Sequence, residues 1–155
     1  MEKIFHLQPW PPLIKTVADD LIFEIHRIAP ALEVLFMGAA ALGLPGKNDI
    51  DLDILCQKKD INHYKLLLVG VLGEPKAIKD DMVFWEFEKS GFEIDCILSD
   101  PKFSHVPEQK KVFELLKSNK KLLNEYRALK VACNGLIYDE YELRKKLFFK
   151  RVERL

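Results

Sequence analysis

Residues 35–56, LFMGAAALGLPGKNDIDLDILC, decide the fold: an apolar segment passes through a glycine-rich turn into a run of alternating acids. Asp49, Asp51 and Asp53 occupy every second position, separated by Ile50 and Leu52. Because residues two apart in a strand share a face, the apolar residues should point into the core and the acids away from it. Carboxylates this close repel one another unless a cation joins them. The stretch therefore raises the question of a metal site.

Apolar spacing on either side of this stretch predicts a mixture of helices and strands. Helices are expected over 13–29 and 61–72, and strands over 33–38 and 49–56. A hairpin is expected from strands 81–88 and 91–98 around Lys89-Ser90-Gly91. After Pro101 the residues Leu, Lys and Glu dominate, and they predict helices over 107–118, 120–133 and 139–154. The fold class is thus α+β, a mixed β-sheet flanked by helices with a helical C-terminal segment.

Length and charge place limits on the class of protein. With 155 residues and 48% hydrophobic content, the chain can bury a real core. We expect one compact unit, with an α/β core over 1–100 and a helical extension over 101–155 packed on it. Residues 1–100 hold 10 Lys+Arg against 17 Asp+Glu, and residues 101–155 hold 14 against 7. The basic part faces phosphate, attracts the acidic part, or consists of solvated helices that happen to be rich in lysine. The net charge of zero argues against non-specific DNA binding.

A third acid extends the pattern. Asp95 alternates with the apolar residues of the hairpin's second strand, so it joins Asp51 and Asp53 if the two strands are neighbours. Such a group of carboxylates is costly without a cation, and oxygen ligands suit Mg²⁺ or Mn²⁺. The competing interpretation is that each acid is merely solvated or protects a strand edge from pairing. The glycine turn, the D-x-D and the later acid together favour the metal site.

Other motifs fail in their details. GLPGK resembles part of a P-loop, but Ala41 replaces the first glycine and Asn48 replaces Ser/Thr. Asp49, Asp51 and Asp53 resemble the start of a calcium-binding loop, but Ile54 occupies the position where that loop requires glycine. The three cysteines match no zinc or CxxC spacing and fit a reduced, cytoplasmic protein. No apolar run is long enough for a bilayer span, so no membrane partner is expected.

The order Gly38, Asp51-x-Asp53 and Asp95 resembles the DNA polymerase β-like nucleotidyltransferase superfamily. Within that superfamily, GLPGKNDIDLDI (43–54) is similar to the GrpB-like family, as is the helical end with Tyr126, Lys130 and Tyr141. The likeness covers roughly residues 33–150. Ala39 departs from the pattern, because the superfamily usually has Ser after the motif glycine.

The resemblance implies a metal-dependent nucleotidyltransferase that uses a nucleoside triphosphate (NTP). Asp51 and Asp53 would bridge two Mg²⁺ ions, and Asp95 would ligate the second ion and take the proton of an acceptor hydroxyl. Gly38, Ala39, Lys47 and Lys130 would lie along the nucleotide's phosphates. An alternative register makes Asp49 and Asp51 the ligands, but the alignment of Lys47 favours Asp51 and Asp53.

Three hypotheses for function stay open. The first is transfer of a nucleoside monophosphate from an NTP to a hydroxyl of a small molecule, an RNA end or a protein. The second is a nucleotide- or metal-binding protein with weak or lost catalysis, because Ala39 replaces the usual Ser. The third is an interaction protein whose basic tail binds RNA or a protein partner, with no chemical role for the acids.

Overall fold

The computed structural model describes residues 2–79 and 81–155. The helices are Leu13–Ile28 (α1), Gly38–Ala41 (α2), Ile61–Leu72 (α3), Val106–Ser118 (α4), Lys120–Cys133 (α5) and Tyr138–Glu153 (α6). The strands are Glu33–Met37 (β1), Ile50–Leu55 (β2), Ala77–Lys79 (β3), Met82–Lys89 (β4) and Phe92–Ser99 (β5). The predicted fold class is confirmed: a mixed sheet is flanked by helices and followed by a helical C-terminal segment.

In the described part of the chain, the sheet has five strands in the order β1-β2-β5-β4-β3. β2 and β5 run parallel, whereas the other neighbouring strands are antiparallel. The register of the parallel pair sets Asp51 opposite Asp95 and Asp53 opposite Ile97. Since paired residues in register share a face of the sheet, the acids predicted to meet do lie on one face.

The opposite face of the sheet carries the main core. Ile50, Leu52 and Ile54 are at most 1% exposed, as their alternation predicts. α1 and α3 cover this face of the sheet. Apolar residues three and four positions apart in each helix form the stripe that packs on it. Trp85 is 2% exposed in this core, and its indole N–H donates to the Gly73 carbonyl at 2.9 Å. Trp85 therefore contributes to the packing of the main core.

The helices after the sheet form a second core that includes residues from the first part of the chain. Leu44, from the loop before β2, is 1% exposed and packs among residues of α4, α5 and α6. Phe5 is buried with Cys133 and Tyr141 in a smaller cluster. The helical segment is therefore packed against the glycine turn and the N-terminal residues rather than against the sheet alone.

Among the described residues, the sequence analysis missed α2, β3 and two 3₁₀ helices, Lys58–Asp60 and Pro101–Phe103. The glycine turn continues into the short helix α2, and the edge strand β3 pairs with β4. The hairpin turn is confirmed at Ser90 and Gly91, whose φ values of 55° and 84° suit a tight turn between twisted strands. The three cysteines are free thiols. Among the described residues, no helix combines the length and apolar character that a membrane crossing requires.

Candidate active site in the cleft between the sheet and the C-terminal helices

A cleft of about 990 Å³ separates the acidic face of the sheet from the C-terminal helices. Asp51, Asp53 and Asp95 lie on its sheet wall. Residues from the glycine turn form one end, and α4, α5 and α6 form the facing wall. The volume is at the upper end of the range of about 300–1,000 Å³ that is typical of ligand pockets. The cleft gathers all seven residues that the sequence analysis named as site candidates: Gly38, Ala39, Lys47, Asp51, Asp53, Asp95 and Lys130.

Within the described residues, the three acids of the sheet wall form no ion pair with a basic side chain. Asp53 is only 8% exposed, while Asp51 and Asp95 are partly buried. Across residues 2–79 and 81–155, no Lys or Arg nitrogen comes within 4.0 Å of a carboxylate oxygen of any of the three. A metal-free explanation by burial in ion pairs with lysine or arginine is therefore ruled out for this part of the chain.

Burial and mutual repulsion disfavour the charged form of these acids. Burial, followed by the charge of Asp95, raises the pKa of Asp51 to about 7. Burial, followed by the charge of Glu93, raises the pKa of Asp95 to about 6. Burial also raises the pKa of Asp53. Oxygen donors that are crowded, partly desolvated and unpaired fit a hard divalent cation such as Mg²⁺ or Mn²⁺.

The distances qualify the predicted triad. The three acids whose oxygens lie within 4.8 Å of one another are Glu86, Glu93 and Asp95, whereas Asp51, Asp53 and Asp95 do not approach that closely. Glu86 and Glu93 are exposed, and Lys76 already pairs with Glu86 at 2.6 Å, which lowers the pKa of Glu86. We therefore still expect a cation at Asp51, Asp53 and Asp95 rather than at the exposed pair, and the metal-binding role of these three acids stays a prediction.

Gly38 is fitted closely to Asp51. Its φ of +82° is a conformation that other residues adopt with difficulty. A Cβ at this position would lie 2.6 Å from Asp51 Oδ2, well inside van der Waals contact. Any side chain at residue 38 would therefore displace the Asp51 carboxylate. Next to it, Ala39 occupies the position where the superfamily usually has Ser, and it lines the cleft.

Lys47 lies at the edge of the cleft, before β2. Its Nζ pairs with Asp49 Oδ2 at 3.1 Å and donates to the Tyr138 hydroxyl at 2.8 Å. Although burial acts to lower it, the pKa of Lys47 is raised because of the Tyr138 hydrogen bond and the Asp49 charge. Asp49 precedes β2 and is already paired, which favours Asp51 and Asp53 over the alternative register.

Lys130 is the unusual cation of the cleft. It is 2% exposed, and its Nζ donates to the Tyr141 hydroxyl at 2.9 Å. The ammonium lies 5.0 Å from the ring centre of Tyr126, and a Cβ on Gly46 would lie 3.2 Å from it. Burial, followed by the charges of Lys145 and Lys47, lowers the pKa of Lys130 to about 8.

Arg127 and Lys130 are three residues apart on α5 but lie in different environments. Arg127 is exposed, whereas Lys130 continues the buried stripe of Leu122, Tyr126 and Cys133. The spacing of four residues between Tyr126 and Lys130 could have indicated that Lys130 is buried. Residues i and i+4 of a helix lie closer to one face than residues i and i+3 do. Phe5 and Tyr138, which also surround the lysines, were missed as well, since no local pattern joins residues so far apart in the sequence.

Comparison with solved structures shows the fold. A structure of Cid1, described for its RNA terminal uridylyl transferase activity, matches at 18% identity with a TM-score of 0.58 over 79% of this chain and 40% of that chain. Cid1 poly(U) polymerase bound to MgATP matches at 17% identity and 0.54, over 79% and 42%. The MgGTP-bound form matches at 18% and 0.50, over 76% and 44%. The likeness shows that this chain has the same fold as these Cid1 structures.

The similarity covers only part of the matched structures and is not accompanied by a sequence match. The chain spans about two fifths of the length of the solved structures it matches. No family model and no curated protein sequence matches the chain. Membership in the GrpB-like family is therefore not confirmed and stays a prediction.

Proposed function

We propose that the protein transfers a nucleoside monophosphate from an NTP to a hydroxyl acceptor, with pyrophosphate as the leaving group. The observation that carries the proposal is the parallel pairing of β2 and β5, which sets Asp51 opposite Asp95 on the wall of the cleft. Neither acid has a basic partner in the described part of the chain. The fold shared with Cid1, whose structures include Mg-nucleotide complexes, supports the proposal of nucleotidyl transfer.

Asp51, Asp53 and Asp95 are the residues that would hold Mg²⁺ or Mn²⁺. A divalent cation held there neutralises the carboxylates and polarises the phosphoryl oxygens of the NTP. Lys130 offers an ammonium from the opposite wall, where the triphosphate of a nucleotide on Gly38 and Ala39 would meet it. Because phosphoryl transfer depends mainly on positioning and charge, this pairing of an acidic wall with a buried lysine suits the reaction.

A second candidate is a nucleotide- or metal-binding protein with weak catalysis. The observation in its favour is Ala39, which brings no hydroxyl to the turn beside Gly38. The two candidates share the cleft and differ only in turnover. The acceptor class, whether a small molecule, an RNA end or a protein hydroxyl, and a cytoplasmic location are further parts of the proposal.

Transfer of label from [α-³²P]NTP in the presence of MgCl₂ tests the proposal, with RNA oligonucleotides, small alcohols and the protein itself as acceptors. We expect label in an acceptor with the native protein and a loss of about a hundredfold or more for Asp51→Asn, because the residue is assigned to the metal. Asp19→Asn, an exposed acid of α1, is the matched control and should leave transfer unchanged.

The outcomes separate the candidates. Label transfer that survives Asp51→Asn and Asp53→Asn overturns the assignment of the site. Absence of transfer together with a higher melting temperature in MgCl₂ plus NTP favours the weakly catalytic candidate, because a ligand that binds only the folded state stabilises it.

A further inference from the structure

The N-terminal segment, residues 3–10, forms backbone hydrogen bonds with the turn between α5 and α6 and with the first residue of α6. The Tyr138 N–H donates to the Lys3 carbonyl at 2.7 Å. Phe5 exchanges two backbone hydrogen bonds with this turn, each of 2.8 Å, donating to Leu136 and accepting from Gly135. These bonds fix the start of α6 relative to the N-terminal segment.

The same segment is then bonded to the loop before β2. Gln8 and Gly46 exchange two backbone hydrogen bonds of 2.7 and 3.0 Å. The Asn48 side-chain amide donates to the Pro9 carbonyl at 3.2 Å. Gly46 is the residue whose Cβ would lie 3.2 Å from Lys130 Nζ. One segment therefore holds two of the surfaces that surround the buried lysine.

Phe5 makes the side-chain contact that completes this arrangement. It is 1% exposed and stacks on Tyr141, with ring centres 3.8 Å apart and planes inclined by 10°. The Tyr141 hydroxyl accepts the hydrogen bond from Lys130 Nζ, which also lies 5.7 Å from the centre of the Phe5 ring. A chain of contacts thus runs from Phe5 through Tyr141 to the ammonium.

We propose that Phe5 is a positioning residue that keeps the Lys130 ammonium directed at a polyphosphate in the cleft. Its relevance to catalysis rests on the proposed function, whereas its effect on anion binding does not. Lys130 has a flexible side chain and three donors, of which the Tyr141 hydroxyl occupies one. The orientation of the Tyr141 ring therefore decides where the ammonium lies, and the stacked Phe5 ring decides the orientation of Tyr141.

A double-mutant cycle on anion binding tests this inference. Inorganic tripolyphosphate is titrated calorimetrically into the native protein, Phe5→Leu, Lys130→Met and the double variant. We expect each single variant to bind about tenfold more weakly, which corresponds to about 1.4 kcal/mol. We expect the double variant to bind no more weakly than Lys130→Met, because residues that act through one another are not additive.

Ile25→Val is the matched control, because Ile25 is fully buried in the core on the opposite face of the sheet. It should leave tripolyphosphate affinity unchanged. If Phe5→Leu does not melt cooperatively, Phe5→Met replaces it in the same cycle.

Each result decides the inference. Native affinity in Phe5→Leu, or additive losses in the double variant, overturns the positioning role. Native affinity in Lys130→Met overturns the anion site and the positioning role together. Coupled losses without any transfer of label from [α-³²P]NTP uphold the inference and reject the proposed nucleotidyltransferase.

Discussion

At the scale of single residues, Gly38 decides whether Asp51 keeps its place in the cleft. Two features require glycine at this position. Its φ is positive, and a Cβ would lie only 2.6 Å from Asp51 Oδ2. The sequence indicated a turn here from the glycine alone. It did not reveal the contact with Asp51, because the approach of the two residues depends on the antiparallel pairing of β1 with β2.

We predict that Gly38→Ala destabilises the protein by about 1–3 kcal/mol, because alanine is strained at this φ and its Cβ meets the carboxylate. Transfer activity should fall by a larger factor, since Asp51 is pushed from its position. Urea unfolding and label transfer measure the two effects. Gly73→Ala is the control: φ there is +80°, and a Cβ would have nothing within 4 Å, so the variant should lose stability but keep activity.

A result in which both variants keep native activity would contradict this role of Gly38. The comparison separates backbone strain, which the two positions share, from the close approach to Asp51, which is found only at residue 38.

At the scale of elements, alternation and helical spacing predicted β2, β5 and α5 closely. Ile50, Leu52 and Ile54 are buried as expected, and the acids between them face the cleft. The burial of Lys130, which is 2% exposed, could not be predicted from α5 alone. Its burial depends on Tyr141 from α6 and Gly46 from the loop before β2, which no pattern within α5 encodes.

Burial of Lys130 in α5 has a consequence for stability at different pH. Its pKa is about 8 in the folded protein and 10.5 for the free side chain. Between these values the unfolded chain holds more protons than the folded chain, so the free energy of unfolding rises with pH. The cost of burying the charge is fully present below pH 8 and is removed as pH rises through this window.

We predict that the native protein gains about 2 kcal/mol of stability relative to Lys130→Met between pH 7.5 and 9.5. Urea unfolding of both proteins at each pH gives the difference. Lys121→Met, at an exposed position of the same helix, is the control and should not change the pH profile. A difference between native protein and Lys130→Met that is constant with pH would contradict the lowered pKa.

At the scale of the whole molecule, ion pairs contribute little to joining the acidic and basic parts of the described chain. Among the described residues, the pair between Lys110 and Glu33, 3.6 Å long, is the one that crosses from 101–155 to 1–100. Apolar contacts connect the parts instead, through Leu44 and Phe5. Composition could reveal the asymmetry, but long-range packing of single residues from loops could not be predicted from it.

We predict that the chain unfolds in one cooperative transition, because Leu44 belongs to the core of the helical segment. Urea unfolding is followed by tryptophan fluorescence, which reports Trp10 and Trp85 of the first part, and by far-UV circular dichroism, to which the C-terminal helices contribute strongly. Coincident curves are expected. Two separated midpoints would show that 1–100 and 101–155 are independent units.

The proposed function depends on Asp51 and Asp53, together with Asp95, holding the divalent cation, rather than Asp95 with the exposed Glu86 and Glu93. Electron paramagnetic resonance measures free Mn²⁺ during titration of the native protein, Asp51→Asn and Glu93→Gln. We expect Asp51→Asn to abolish Mn²⁺ binding and Glu93→Gln to bind as the native protein does. Loss of binding in Glu93→Gln with native binding in Asp51→Asn would contradict the assignment of the cation to the cleft.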